Sequence, residues 1–405
     1  MSGHYVRALA LASIAALAAC SGGSTNQTLP SGVGSGTSPL AFHNDVPNTQ
    51  AACDYMPMPG QARCYALIET GIVPRKGIQP NVSGYGPSDY VSAYKLPHGT
   101  LSGVGQKIGI VDAYDDPNAE SDLQVYRSQF GLPTCTTANG CFKKVNQVGQ
   151  QGNYPKSDRG WAAEESLDVD MASAICPHCK IILVEANSNY FTDLGASVDE
   201  AVKLKANVVS NSYGGGEGYS SDPDYDHPGH VITASSGDSG YGAQQPCSLA
   251  TVVCVGGTTL SKGGGGTRGW TEQSWNHAGS GCSAYVTKPS WQTDSGCTMR
   301  SEADTSSVAV GAAVYDTFGN GGWIVLDGTS VSSPIVASEY ALAKNAKSQN
   351  YAQGIWVAGG TSKFYDITSG PANGSCPSQY KYICTPGKGY DGITGWGTAH
   401  GVKGY

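Results

Sequence analysis

Charge is scarce in this chain. Of its 405 residues only 14% are Asp, Glu, Lys or Arg, against roughly a quarter in an ordinary soluble domain. Positive charge is the scarcer sign, with 24 Lys and Arg against 32 Asp and Glu and a net charge of −8. That balance excludes a nucleic-acid binder working through a basic patch. Beyond the N-terminus no segment holds the roughly eighteen uninterrupted apolar residues of a bilayer span, and no internal repeat is visible. Glycine, in contrast, is abundant, at 56 residues, and 23 Tyr and 7 Trp supply large anchors. With 39% hydrophobic residues, the chain is not disordered throughout. Its length allows one large domain or two ordinary ones. Where so few charges are kept, each buried carboxylate needs a reason.

The N-terminus sets the expected compartment. His4 and Arg7 precede a run from Ala8 to Ala19 that is apolar except for Ser13, too short for a bilayer span and right for the core of a signal peptide. The run ends in Leu17-Ala18-Ala19-Cys20, which resembles the lipobox of bacterial lipoproteins, where the cysteine is lipidated. The expectations are a signal peptide over 1–19, a lipid-anchored flexible linker over 20–40 and a short N-terminal or pro segment over 41–84, before a main domain over 85–405. The product would be exported, as a cell-envelope lipoprotein or a secreted protein. Setting Cys20 aside, the other cysteines fall in close pairs: Cys53/Cys64, Cys135/Cys141, Cys176/Cys179, Cys247/Cys254, Cys282/Cys297 and Cys376/Cys384. Local disulfides formed in an oxidising compartment are the simplest reading. The Cys176-Pro177-His178-Cys179 motif lies between a helix and a strand, and no second CxxC completes a zinc ribbon, so a structural bridge is expected there as well.

Residues 41–84 hold one cysteine pair and the run Cys64-Tyr65-Ala66-Leu67-Ile68, without clear periodicity. From Gly84 onward strands and helices alternate. Strands are predicted at 107–111, 180–184, 208–213, 230–235 and 251–255. Helices are predicted over 118–130, 161–175, 332–347 (with Pro334 in the first turn) and from a Thr192 cap to Ala206. This alternation predicts an α/β fold, a parallel sheet with helices on both faces.

The strongest chemical signal is Asp327-Gly328-Thr329-Ser330-Val331-Ser332-Ser333-Pro334. A serine at the start of a long helix can present its hydroxyl at the mouth of a sheet, with its own N–H aimed at a developing oxyanion. A serine-rich helix cap without chemistry is the simpler alternative. A nucleophilic serine needs a base, and no histidine is placed to serve. His98-Gly99-Thr100 resembles the subtilisin histidine motif, but it precedes the strand ending in Asp112, the wrong order for a subtilisin. Carboxylates are better placed. Glu164 and Asp168 are four apart, projecting from one helix face about 40° apart. In a dry site such a pair shares a proton, with one pKa raised, which makes Glu164 a plausible general base tuned by Asp168. Glu165 and Asp170, on other faces, read as solvated or structural on a partly buried helix. A further carboxylate, Asp238, lies in Ser236-Gly237-Asp238-Ser239-Gly240 at a strand end, where such sheets bind ligands.

Taken together, Glu164-Glu165-Ser166-Leu167-Asp168, Gly237-Asp238-Ser239-Gly240 and Gly328-Thr329-Ser330-Val331-Ser332-Ser333-Pro334, in this order and without a histidine, resemble the signature of the sedolisins, or serine-carboxyl peptidases. The resemblance covers about residues 84 to 405 and implies a subtilisin-like fold, here decorated with disulfides. It also implies that Ser330 is the nucleophile, Glu164 the base, Asp168 its partner and protonated Asp238 an oxyanion donor, and that the enzyme is an endopeptidase working at acidic pH. Asp112 would stand behind these as a supporting acid. Ser210, Ser212, Tyr213 and Gly214 resemble the family's edge for pairing with substrate backbone.

Asp366, Ile367, Gly387, Gly389 and Asp391 supply two carboxylates and several carbonyls, hard oxygens of the kind Ca²⁺ prefers. They match the family's calcium site residue by residue, which implies one Ca²⁺ per chain. Two features depart from the family pattern. Asp327 stands where a second glycine is common, and only about 65 residues separate Cys20 from Gly84, far fewer than the family's folded propeptides. The expected partners are peptide or protein substrates, with the membrane met only through the N-terminal lipid, no nucleic acid, and a monomeric chain. A catalytically silent envelope lipoprotein, using the same fold as a binding scaffold, is the alternative function.

Overall fold

A computed structural model describes residues 46–53 and 57–405. The expected signal peptide, Cys20 and the linker to residue 40 lie outside the described residues. Three short strands come first: β1 (Thr49–Ala51), β2 (Arg63–Cys64) and β3 (Leu67–Glu69). After α1 (Pro87–Tyr94), a βα alternation runs through β4 (Lys107–Ala113), α2 (Ala119–Gln129), β5 (Phe142–Asn146), α3 (Arg159–Ile175), β6 (Lys180–Ala186) and α4 (Phe191–Lys203). The strands β7 (Val208–Asn211), β8 (Tyr213–Gly216), β9 (Val231–Ser235), β10 (Gln244–Gln245), β11 (Val253–Lys262) and β12 (Trp270–Ser274) follow. The chain then forms β13 (Gly281–Thr287), β14 (Met299–Glu302), β15 (Thr305–Val308), β16 (Ala312–Asp316), β17 (Gly322–Asp327) and the helix α5 (Thr329–Ala343).

The main sheet has the order β12-β11-β9-β7-β4-β6-β5, with β15 also on β11. All its pairs are parallel except β11 with β12. Alternate residues along each strand face opposite sides. Ile110, Leu183 and Val208 join the cluster containing Leu167 and Ile335 from α3 and α5, while Val111, Val184 and Val209 join Leu194 and Val198 of α4 on the other side. The α/β sheet with helices on both faces is therefore as the alternation predicted. All six local disulfides are formed, as expected of a chain that folds in an oxidising, extracytoplasmic compartment.

Within residues 46–84, β2 pairs with β8 and β3 joins β17. Several local expectations need correction. Thr192 caps nothing. α4 begins at Phe191, where the Tyr190 carbonyl accepts the N–H groups of Asp193 and Leu194, both at 3.0 Å, and Phe191 itself packs into the apolar face. The last long helix begins at Thr329 rather than Ser332, with Gly328 as its N-cap at φ +119° and Pro334 inside the helix. α3 is not partly buried but buried at every position from Trp161 to Ile175, Glu165 and Asp170 included.

Candidate active site

Two helix starts build the site. On α3, Asp158 caps the N-terminus by accepting from Gly160 at 2.9 Å and Trp161 at 3.1 Å. The helix then turns Glu164 and Asp168 toward α5. On α5, the sharp turn at Gly328 places Ser330 in the first helical turn. Pro334 has no N–H for the Ser330 carbonyl, and the Ser212 hydroxyl approaches that carbonyl at 3.4 Å. The same Ser212 hydroxyl donates to Asp168 Oδ1 at 2.7 Å. In return the Ser330 hydroxyl donates to the Ser212 carbonyl at 3.2 Å. Ser212 therefore bridges the acid helix and the serine helix, between β7 and β8.

Asp238 approaches from the end of β9. Its Oδ1 accepts both the N–H and the hydroxyl of Thr329, each at 2.8 Å, and Gly237 and Ser235 bind Thr329 in turn. Asp238 Oδ2 is buried without a partner among the described residues. Burial pushes this carboxyl up to about 7, against the opposing effect of the Thr329 donors. In acid Oδ2 is thus a protonated donor beside the start of α5.

Glu164 is held above the usual carboxylate range by burial and then by neighbouring Asp168, offset in part by the Ser330 hydroxyl and the Ala66 N–H. Burial also raises Asp168, and its bond from Ser212 lowers it. Asp112, at the end of β4, is raised by burial and by the charges of Asp168, Glu164 and Glu185. Neither of its oxygens has a partner among the described residues. The acids continue beyond it, because Asp112 and Glu185 are register partners on β4 and β6. Glu185 meets Lys144 at 2.6 Å, and Lys144 meets Asp115 at 2.5 Å. A row of buried carboxyls in low dielectric can hold only part of its full negative charge. Glu164 and Asp168 therefore titrate as a coupled pair in which one member keeps a proton.

The structure brings Ser330, Glu164, Asp168 and Asp238 together with Asp112 behind them. The residues expected to form the substrate edge fall on two strands. Tyr213 and Gly214 lie in β8, just after Ser212, and pair there with Cys64 and Arg63 of β2, whereas Ser210 lies in β7. β7 is paired on both sides, with β4 and β9, so the Ser210 backbone is committed to the sheet and its hydroxyl meets Ser333 Oγ at 3.0 Å. Tyr213 contributes backbone only, since its hydroxyl turns inward to Asn211 at 2.7 Å. His98 is exposed and outside any helix or strand, its ring 3.3 Å from the Leu96 carbonyl.

Sequence reasoning missed the residues that cover the serine. Ala66 donates its N–H to Glu164 Oε2 at 2.8 Å, and Tyr65 places its hydroxyl on Gln244. The paired Cys53 and Cys64, next to an apolar run, were the available signal. Asp366 and Asp391 both reach the loop 387–391. Asp366 accepts from Gly389 at 2.9 Å. Asp391 accepts from Gly387, Ile393 and Thr394 at 3.0–3.2 Å.

A family model described as the subtilase family matches residues 153–358. Sedolisin of Pseudomonas sp. (strain 101) is 25% identical over 367 residues, which is 78% of this chain and 60% of that protein. Xanthomonalisin of Xanthomonas sp. (strain T-22) is 25% identical over 393 residues, 78% of this chain and 45% of that protein. The chain thus spans about half the length of the curated relatives it matches. Among solved structures, Pseudomonas sedolisin, titled a serine-carboxyl proteinase complexed with two molecules of pseudo-iodotyrostatin, matches with a TM-score of 0.64 at 24% identity, covering 79% of this chain and 96% of that one. A psychrophilic protease matches with a TM-score of 0.51 at 17% identity, covering 79% and 98%. These structural likenesses concern the fold. With the family match spanning the acid helix, the Asp238 turn and the serine helix, the chain belongs to the subtilase family and, within it, to the sedolisins.

Proposed function

We propose that this protein is an exported serine-carboxyl endopeptidase that hydrolyses peptide bonds at acidic pH. The observation that carries the reading is a helix-start serine next to which Glu164, Asp168 and Asp238 converge, Asp238 with a buried Oδ2 that has no partner among the described residues. Ser330 attacks the scissile carbonyl as its hydroxyl turns from the Ser212 carbonyl to Glu164, which takes the proton. Asp168 shares charge with Glu164, and Ser212 holds Asp168 in place. Protonated Asp238 and the N–H groups at the start of α5 receive the oxyanion, which an ionised Asp238 would repel. Glu164 then returns the proton to the leaving amine, and water repeats the sequence on the ester. Peptide or protein chains bind along Ser212–Gly214 by strand addition in place of β2, which pairs there in this structure.

One Ca²⁺ fits the C-terminal loop. Asp391 is buried, and the hydrogen bonds it accepts among the described residues come from neutral donors, so its charge has no cation there. Asp366 and Asp391, with the carbonyls of Ile367, Gly387 and Gly389, would hold the ion. A bound Ca²⁺ supplies cross-linking of this loop and takes no part in peptide cleavage. Export through residues 1–19, a lipid anchor at Cys20 and a monomeric chain complete the proposal.

The test is peptide hydrolysis between about pH 3 and pH 8 by wild type, Ser330→Ala and Glu164→Gln. Activity confined to acid and lost in both variants is expected. Hydrolysis retained by Glu164→Gln would sink the carboxylate-base mechanism. No hydrolysis by folded, calcium-loaded wild type would favour the silent scaffold.

A further inference from the structure

The end of the main sheet opposite the serine is lined with lysine. Lys107 opens β4 and Lys180 opens β6, while Asp112 and Glu185 stand near the other ends of the same strands. Lys107 and Lys180 are register partners, and Lys143, the second residue of β5, pairs with Ile182 of β6. Alternation puts all three lysines on the sheet face that packs against α4, because Val111, Val145 and Ile182 of the same strands belong to that cluster. There the three line one cavity of about 140 Å³, with Leu204 on its rim. Like charges set directly across a ladder repel. Lys107 Nζ donates to the Leu204 carbonyl at 3.2 Å, at the C-terminal end of α4, a place that favours a cation and accounts for one of the three. Among the described residues none of them forms an ion pair with a carboxylate. In a chain with 24 Lys and Arg against 32 Asp and Glu, such a group of unpaired cations is built for an anion that comes from outside.

Apolar side chains share this end of the sheet. The segment leading into β4 leaves Leu101 76% and Val104 49% exposed. It is firmly held. The Leu101 carbonyl accepts Lys344 Nζ at 3.2 Å, from the end of α5, and the Gln106 carbonyl accepts the Lys180 N–H at 2.9 Å. A Cβ on Gly103 would stand 2.1 Å from Cys176 Sγ, so the segment packs directly on the Cys176–Cys179 bridge. Asn207, just beyond α4, binds the Lys107 N–H at 2.9 Å. The segments brought together here, 95–107, 176–180, 203–207 and 344–348, contain no Asp or Glu. Exposed apolar tips beside lysines match the boundary between lipid headgroups and acyl chains, where both kinds of contact are satisfied together. A soluble polyanion would use the lysines alone.

We propose that this end of the domain docks on an anionic bilayer, with Leu101 and Val104 entering the interface and Lys107, Lys143 and Lys180 taking the phosphates of anionic headgroups. The contact is made by the folded domain itself, beyond any lipid at Cys20. A lipid there would bring the domain to the surface, and the lysine face would then orient it. Docked in this way, the domain turns the strand ends that carry Asp112, Ser212 and Asp238 away from the bilayer, so the serine faces the surrounding solution. The docking does not rest on the peptidase reading, and either can fail without the other.

The experiment uses the full exported chain carrying Cys20→Ser and Ser330→Ala, so that neither a lipid nor the nucleophile is present. Its co-sedimentation is measured with vesicles of phosphatidylcholine alone and of phosphatidylcholine mixed with phosphatidylglycerol, at low salt and at about 0.5 M salt. Binding to the anionic vesicles, lost at high salt, is expected. Lys107→Gln/Lys143→Gln/Lys180→Gln should weaken it by about a hundredfold, from roughly fivefold per lysine at an anionic surface. Lys180→Gln alone, at an exposed position, should cost about fivefold and serves if the triple variant does not fold. Leu101→Ser/Val104→Ser should weaken binding by about tenfold, with an unfolding transition like that of the parent. Equal binding to both kinds of vesicle overturns the proposal, as does binding that the lysine variants leave unchanged. Retention on heparin without binding to anionic vesicles overturns it in favour of a soluble polyanion. Loss of peptide hydrolysis in the chain that keeps Ser330 would bear on the peptidase reading alone.

Discussion

Thr329 turns both of its donors onto one oxygen of Asp238, the N–H and the hydroxyl each 2.8 Å from Oδ1. That leaves Oδ2 to carry the proton, and burial holds the carboxyl at about 7, so below that pH it is a donor. Asp238→Ala should lower kcat by about 10²–10³, the usual cost of one oxyanion donor. Asp238→Asn keeps an acceptor for Thr329 and presents an amide N–H that does not titrate. It should retain more activity than the alanine variant and hold that activity further above pH 7. Rate profiles for the two variants check both points, and an unchanged alkaline fall in Asp238→Asn would remove Asp238 from the oxyanion site.

Ser212 acts through its neighbours as a positioning residue. Its hydroxyl lowers the Asp168 carboxyl against the larger opposing effect of burial. Ser212→Ala should therefore raise the Asp168–Glu164 pair and move the acid limb of the kcat profile to higher pH. A fall in kcat of about tenfold, with KM nearly unchanged, should accompany it. A variant that altered only stability would leave the limb in place.

The buried acids make folding stability depend on pH in an unusual direction. Asp116, Asp238 and Asp327 are each pushed up to about 7, burial being the first cause, above the roughly 3.9 of an unfolded Asp. Between those values the folded state binds more protons than the unfolded state, so stability falls as pH rises. Their stabilising contribution is complete below about pH 4 and lost as pH passes about 7. Thermal unfolding of Ser330→Ala, at fixed calcium, should give its highest midpoint in acid and a lower one at neutral pH. A midpoint that rose from acid to neutral pH would contradict this assignment.

Calcium removal should act on stability rather than on chemistry. A chelator should lower the unfolding midpoint of the wild type, and added Ca²⁺ should restore it by mass action. Asp391→Asn should abolish the response while leaving Ser330 and Glu164 in place. Calorimetric titration with Ca²⁺ checks the stoichiometry of one ion per chain.

Arg300 and Asp304 form a buried pair, with Arg300 donating from both terminal nitrogens to the two oxygens of Asp304 at 2.8 and 2.5 Å. Trp356 adds a bond to Asp304 Oδ1 at 2.8 Å. Arg300→Met leaves that carboxylate buried without its cation, which should cost about 3–5 kcal/mol, read from denaturant unfolding.

Much of the chemistry was visible in the sequence because it was encoded locally. The Glu164/Asp168 spacing is a property of one helix, and Gly328-Thr329-Ser330 of one turn. The cysteine pairs close short loops whose ends cannot stray far. Of the two readings for Glu165 and Asp170, solvated or structural, the solvated one fails because α3 is buried at every position from Trp161 to Ile175. A helical period describes one buried stripe and says nothing about a second layer on the opposite face. The two-residue step from Ser210 to Ser212 likewise passes from β7 of the main sheet to the start of β8 in a second sheet, which no local pattern marks.

The sequence by itself determined which residues could do the chemistry: a serine at a helix start, two acids on one helical turn, and a third at a strand end. Local backbone geometry sets these relations, so residue order is enough to read them. Only the tertiary structure decided what lies over the serine. The strands β2 and β3 are two and three residues long, and their partners are chosen through backbone hydrogen bonds to distant edges. Such bonds use groups that nearly every residue carries, so no side-chain pattern marked Tyr65 and Ala66 as the residues laid against Ser212 and Glu164.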